Sequence, residues 1–166
     1  MLRVYASYFR QTRFGFIQPF IAESLASQIQ ITRQLVALFQ ARFDPAQQYH
    51  ELTTTLEQSI SQALEVVDSF DEDKILNRYL ELIKATLRTN FYQPDRDGNS
   101  KAYFAFKLDP GAISELPLPR PKYEVFIYSP RVEGVHLRAG KMARGGLRWS
   151  DCMEDYRTEV LAPCRT

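Results

Sequence analysis

Cysteine and histidine are scarce, with two of each in 166 residues. Cys152 and Cys164 lie apart from either histidine, and His50 and His136 are isolated from each other, so no metal-ligand spacing exists and no metal site is expected. Two cysteines make no disulfide framework; reduced thiols in a cytoplasmic protein are the expectation. An excess of one charge is also missing. The 21 basic and 20 acidic residues leave a net charge of +1, which gives no global reason for a nucleic-acid or membrane partner. Long apolar runs are absent: "MLRVYASYFRQTRFGF" is interrupted by Arg3, Arg10 and Arg13, which suits neither a leader peptide nor a bilayer span. There is no G-x-x-x-x-G-K-[ST] loop, no G-x-G-x-x-G fingerprint and no paired His/Ser/Asp arrangement.

What is present is a globular composition. Hydrophobic residues make up 45% of the chain, with 11 Phe and 9 Tyr against one Trp, enough to bury a core without disulfide or metal staples. Residues 18–90 read as helical. A stripe through Phe20, Ile21, Leu25, Leu35, Leu38 and Phe39 marks one helix, with Pro19 suited to its first turn. "FDPAQ" divides it from a second helix, with Asp44 expected as cap and Pro45 at the first helical position. That helix carries Leu52, Leu56, Ile60 and Leu64. A third opens at "SFDEDK", whose acids complement the helix dipole. An Asp-Gly turn signal at Asp97–Gly98 closes the helical part.

Beyond it the pattern changes. "KAYFAFKL" and "KYEVFIYS" read as strands, and "RVEGVHLRAGK" as a third. Between the first two, "DPGAISELPLPRPK" holds four of the nine prolines and reads as a surface connection. "SDCMEDYRTEVL" reads as a closing helix capped at Asp151, with Glu154 three residues on. The expected fold class is α+β: a helical segment over 1–95, then a small strand-rich part with its closing helix over 96–166.

Residues 131–151 hold the candidate chemistry. Four of seven glycines fall there, Gly134, Gly140, Gly145 and Gly146. Between Arg131 and Arg148, the five cations Arg131, Arg138, Lys141, Arg144 and Arg148 face a single acid, Glu133. Adjacent glycines let a ligand approach main-chain amides, flanking arginines match a carboxylate or phosphate, and the expected helix start favours anions. A tight turn between solvated arginines accounts for the same residues and stays open. His136 reads as a half-buried side chain rather than a base, Trp149 as a packing anchor, and Cys152 as inert.

The run "KYEVFIYSPRVEGVHLRAGKMARGGLRWSDCMEDYRTEVL", from Lys122 to Leu161, resembles the entry to the catalytic region of the large NAD-specific glutamate dehydrogenases of bacteria. The resemblance extends upstream through "YFRQTRFGFIQPFI", "LVALFQARFDP" and "ILNRYLELIKATLRTNFYQ", covering nearly the whole chain. Smaller glutamate dehydrogenases carry a Lys-Gly-Gly-[Leu/Ile/Met]-Arg motif whose lysine meets a substrate carboxylate. "ARGGLR" is similar to it, with Arg144 at the lysine position, Gly145 and Gly146 against the ligand, and Lys141 a nearby second cation. An arginine fork replaces a point charge there. Cys152 stands where the family has a charged residue, and Pro163 interrupts a helix the family continues.

The resemblance implies a segment of an enzyme that converts L-glutamate, NAD and water to 2-oxoglutarate, ammonia and NADH. The catalytic residues and the NAD-binding domain would lie outside this chain, so none of its own residues is expected to be catalytic or cofactor-binding, and alone it would be inactive. Its helices would pack against the rest of the enzyme or self-associate. Two other readings stand beside this one. A noncatalytic interaction or regulatory module would use the apolar helix faces. Nucleic-acid binding would use the cationic segment, but no aromatic other than Trp149 interleaves with its charges.

Overall fold

The computed structural model describes residues 1–46, 50–138, 140, 150–151 and 155–161. Its elements run α1 (Leu2–Gln11), α2 (Gln18–Ser27), α3 (Ile29–Phe43), α4 (His50–Leu64), α5 (Phe70–Ala85), β1 (Thr86–Thr89), β2 (Phe104–Leu108), a short 3-10 turn (Pro110–Ala112), β3 (Tyr123–Tyr128), β4 (Glu133–Arg138) and α6 (Tyr156–Leu161). The strands form one antiparallel sheet in sequence order, so the fold is α+β, as the sequence implies.

The helix signals succeed where side chains cap or start a turn. Pro19 occupies the first turn of α2. Ser69 caps α5 by accepting from the Glu72 amide, with Asp71, Glu72 and Asp73 in the first turn. Three expectations are corrected. The first expected helix is two, divided at Gln28, whose φ/ψ of −100°/54° is not helical. Ser27 and Gln28 there turn outward and donate to the two Glu72 oxygens at 2.7 and 2.8 Å. Asp44 does not cap α4; its side chain accepts from Ala46 in a local turn, and α4 begins at His50. Residues 86–89, expected in the third helix, form β1. Thr86 leaves the helix with φ/ψ of −71°/118° and pairs with Leu108, a conformation that β-branched residues favour.

Packing follows strand parity. Phe106 and Phe126 are neighbours on the inner face, where Leu108 pairs with Glu124, and all four are buried. Lys107, Val125 and His136 lie across the outer face, and His136 is exposed rather than half-buried. Helix α1 lies directly on the inner face. Tyr5 stacks on Phe106 with centroids 4.7 Å apart, and Tyr8 meets Phe126 edge-on at 5.3 Å. α5 flanks α1 through Tyr79, which touches both Tyr5 and Phe9. α2 packs on α5, α3 on α5 and α4, and α3 reaches the sheet through Phe39.

The proline-rich stretch is an anchored strap rather than a surface connection. Ile113 and Leu116 are 1% and 3% exposed. Arg78 on α5 donates to the Ser114 carbonyl and to Glu115, at 3.1 Å for the latter, and its guanidinium lies 4.9 Å from the centre of the Phe14 ring.

Candidate functional site

The residues expected to hold a substrate carboxylate, Lys141, Arg144, Gly145 and Gly146, lie outside the described residues, as do Trp149 and Cys152. The structure instead describes what borders them. Strand β4 leads in, and Arg138 donates from Nε to the Gly140 carbonyl at 3.2 Å. Gly134 and Gly140 have no positive φ, and a Cβ at either would meet nothing within 4 Å. Neither position needs glycine for steric reasons, so the glycine argument rests on Gly145 and Gly146.

On the far side, Ser150 and Asp151 are not helical and α6 starts at Tyr156. The cap expected at Asp151 is Asp155, whose Oδ1 accepts from the Thr158 amide at 3.3 Å. A helix start already capped by a carboxylate is a poor seat for a second anion, which withdraws the helix-start argument made from the sequence.

Both borders are tied by charge to α1 and the turn after it. Arg10 Nη2 donates to Glu133 Oε1 at 2.6 Å, and the Tyr156 hydroxyl donates to the other Glu133 oxygen at 3.4 Å. Glu133, the one acid between Arg131 and Arg148, is therefore engaged by α1 and does not face only its neighbouring cations. Arg13 grips Asp155 Oδ2 through Nη2 at 2.8 Å and Nε at 3.2 Å. Burial pushes the Asp155 carboxyl up, but Thr158 and Arg13 outweigh it and hold the group below its usual range. Gln11, fully buried, accepts from the Arg157 amide at 3.2 Å.

Beneath these contacts lies a charge pair wholly removed from water. Arg157 Nε donates to the two Glu124 oxygens at 2.9 and 3.0 Å, and both side chains are 0% exposed. The two terminal nitrogens of Arg157 are buried without a partner. Burial pushes the Glu124 carboxyl above its usual range, against the pull of Arg157. Burial and then the Glu124 charge push the neighbouring Tyr8 phenol well up.

Of these residues, only Glu133 stands out in the sequence as part of the candidate site. Arg10 and Arg13 served only to argue against a leader peptide. The available signal was parity: Glu124 shares a strand face with Phe126, so a strand that buries Phe126 also buries a carboxylate, and such a group calls for a cation.

The fold and these borders define a mixed α+β protein whose helical layer is joined by charge to the two ends of a glycine- and arginine-rich segment. Comparison with known proteins identifies the group. Residues 59–166 match the family model for the bacterial NAD-glutamate dehydrogenase catalytic domain, and residues 1–45 match glutamate dehydrogenase helical motif 3. The chain is 58% identical to the NAD-specific glutamate dehydrogenase of Pseudomonas aeruginosa and 57% identical to that of Halomonas elongata. It is 45% identical to the one from Mycobacterium tuberculosis; each match covers 97% of this chain and 10% of the relative. The chain belongs to the bacterial NAD-glutamate dehydrogenase family, and it spans about a tenth of the length of the curated relatives it matches.

The described residues do not fit a dinucleotide. Their sheet is wholly antiparallel, whereas a dinucleotide crevice is built from parallel βαβ units opening on a glycine-rich turn. No step involving NAD is therefore assigned to them. No group of three or more metal-ligating side chains occurs among the described residues. No described helix is long and apolar enough to cross a membrane.

Proposed function

We propose that this chain supplies part of the substrate grip of an NAD-dependent glutamate dehydrogenase, while the hydride chemistry resides in residues it does not contain. In this reading Arg144 meets a carboxylate of L-glutamate or 2-oxoglutarate. The amides at Gly145 and Gly146 lie against the ligand, and Lys141 adds a second cation. The observation that carries the reading is the 58% identity over 97% of the chain to a protein named NAD-specific glutamate dehydrogenase. The engagement of Glu133 by Arg10 supports it, because the segment's single acid then offsets its cations less. α1 to α5 have a structural part, backing the sheet from which the segment emerges.

Two measurements test this. The purified chain should give no glutamate-dependent rise in NADH absorbance, and any such activity would sink the claim that the hydride machinery lies elsewhere. With this chain in place of its counterpart in the Pseudomonas aeruginosa relative, Arg144→Ala should raise KM for glutamate. A lost charge-assisted hydrogen bond is worth about 2 kcal/mol, or roughly 30-fold. An Arg144→Ala enzyme with unchanged KM would remove Arg144 from the substrate site.

A further inference from the structure

Helix α1 belongs to the region matching helical motif 3, residues 1–45, whereas the segment with the proposed substrate grip belongs to the region matching the catalytic domain, residues 59–166. Yet the polar contacts of α1 and the turn after it converge on the two borders of that segment. Arg10 reaches Glu133, the first residue of β4, the strand leading into the segment. Arg13 reaches Asp155, and Gln11 reaches the Arg157 amide, where the chain leaves it. Tyr156 closes the circuit by donating to Glu133. From below, Glu124 on β3 holds Arg157.

The carboxylates are the less exposed members of these pairs. Glu133 is 7% exposed and Asp155 27%, against 30% and 62% for Arg10 and Arg13. Glu133 at that exposure is costly to leave unpaired, so Arg10 fixes where the backbone around residue 133 can sit. The solvent-screened Arg13 contact and the buried Gln11–Arg157 hydrogen bond together hold the backbone of residues 155–157. Substrate-holding groups lose effect when displaced by as little as 1 Å. The start of α6 carries these contacts. It is positioned by its cap and by these side chains.

We propose that α1 and the turn after it, through Arg10, Gln11 and Arg13, form a positioning clamp for the glutamate-binding segment, so that the helical motif sets substrate affinity without touching substrate. The inference rests on the reading of Arg144 and its glycines given above. Arg10 and Arg13 are positioning residues. Their loss should weaken the grip on glutamate while leaving the rate of the bound complex nearly intact, since displaced binding groups raise KM and reacting groups lie elsewhere.

The test uses this chain in place of its counterpart in the Pseudomonas aeruginosa relative. The double variant Arg10→Gln/Arg13→Gln should raise KM for glutamate about tenfold, with kcat within about threefold and the KM for NAD unchanged. Arg10→Lys should recover most of the effect at that site, because it keeps the charge. Arg33→Gln, an exposed arginine on α3, should change nothing. If the double variant does not fold, Arg13→Gln alone, at the more exposed position, gives a smaller rise in the same constant. An active enzyme whose glutamate KM is unmoved by these changes overturns the clamp and leaves the substrate reading standing. So does a fall in Tm and kcat at constant KM, which is what a merely structural role would give. An unaltered chimera without glutamate-dependent NADH formation defeats the substrate reading, and the clamp with it.

Discussion

The Glu124 carboxylate and the Arg157 guanidinium are both fully removed from water and meet through Nε alone. A buried pair of this kind contributes little net stability, because two desolvation penalties offset the attraction, but removing one partner leaves the other charge uncompensated. Two terminal nitrogens of Arg157 are already without a hydrogen-bond partner, and among the described residues Glu124 is the carboxylate that holds it. Glu124→Ala should therefore cost about 3–5 kcal/mol in urea unfolding, whereas Glu124→Leu with Arg157→Met should cost far less. Equal losses in the single and double variants would contradict this account. Since burial raises the Glu124 pKa, ionisation is disfavoured in the fold. Its contribution is then full below the ordinary glutamate value of about 4.3 and declines as pH rises through the raised one.

α6 illustrates how far an element can be read in advance. The expectation of a closing helix holds, and the helix starts at Tyr156, where one oxygen of Asp155 accepts from the Thr158 amide. The other oxygen of Asp155 accepts from Arg13. Sequence cannot supply that, since Arg13 is far along the chain. The same limit explains the other differences. α5 is legible because Ser69 and three acids act locally, whereas β1 is not, because Thr86 becomes a strand only beside Leu108. The cationic segment is visible from spacing alone; the groups that border it are dispersed from Arg10 to Arg157 and come together only by folding. Asp155 also carries a pH prediction. Its lowered pKa means that its contribution is present above the ordinary aspartate value of about 3.9 and is lost as pH falls through the folded value. With Arg13 at 62% exposure, screening limits the pair to below about 1 kcal/mol. The Thr158 amide shift should follow this titration and move with added salt. In Asp155→Asn, which can still cap but cannot pair with Arg13, the acid titration should vanish; a persistent titration would assign it to another group.

Two family regions, 1–45 and 59–166, meet in this molecule, and the sequence pattern places a change from helices to strands near residues 90–101. Separate folding units would be the natural guess. The aromatic core runs across that division. Tyr5 touches Phe39 of α3, Tyr79 of α5 and Phe106 of β2, and its hydroxyl bonds Thr86 at 2.8 Å where α5 becomes β1. Tyr8 and Phe9 carry the same continuity to β3 and α5. With α1 removed, the sheet would lose the cover of its inner face, and α5 would lose its neighbour. We therefore expect one cooperative transition for the chain, with calorimetric and van't Hoff enthalpies equal. Tyr5→Ala should cost about 3–5 kcal/mol, the range for truncating a large buried aromatic, and should lower the melting of sheet and helices together. Residues 59–166 alone should show no cooperative unfolding, because they leave α1 behind. Two resolved transitions, or a folded 59–166 piece, would show instead that the aromatic contacts of α1 join units that are stable apart. In that case the clamp on β4 and α6 would be a docking contact between modules rather than part of a single core.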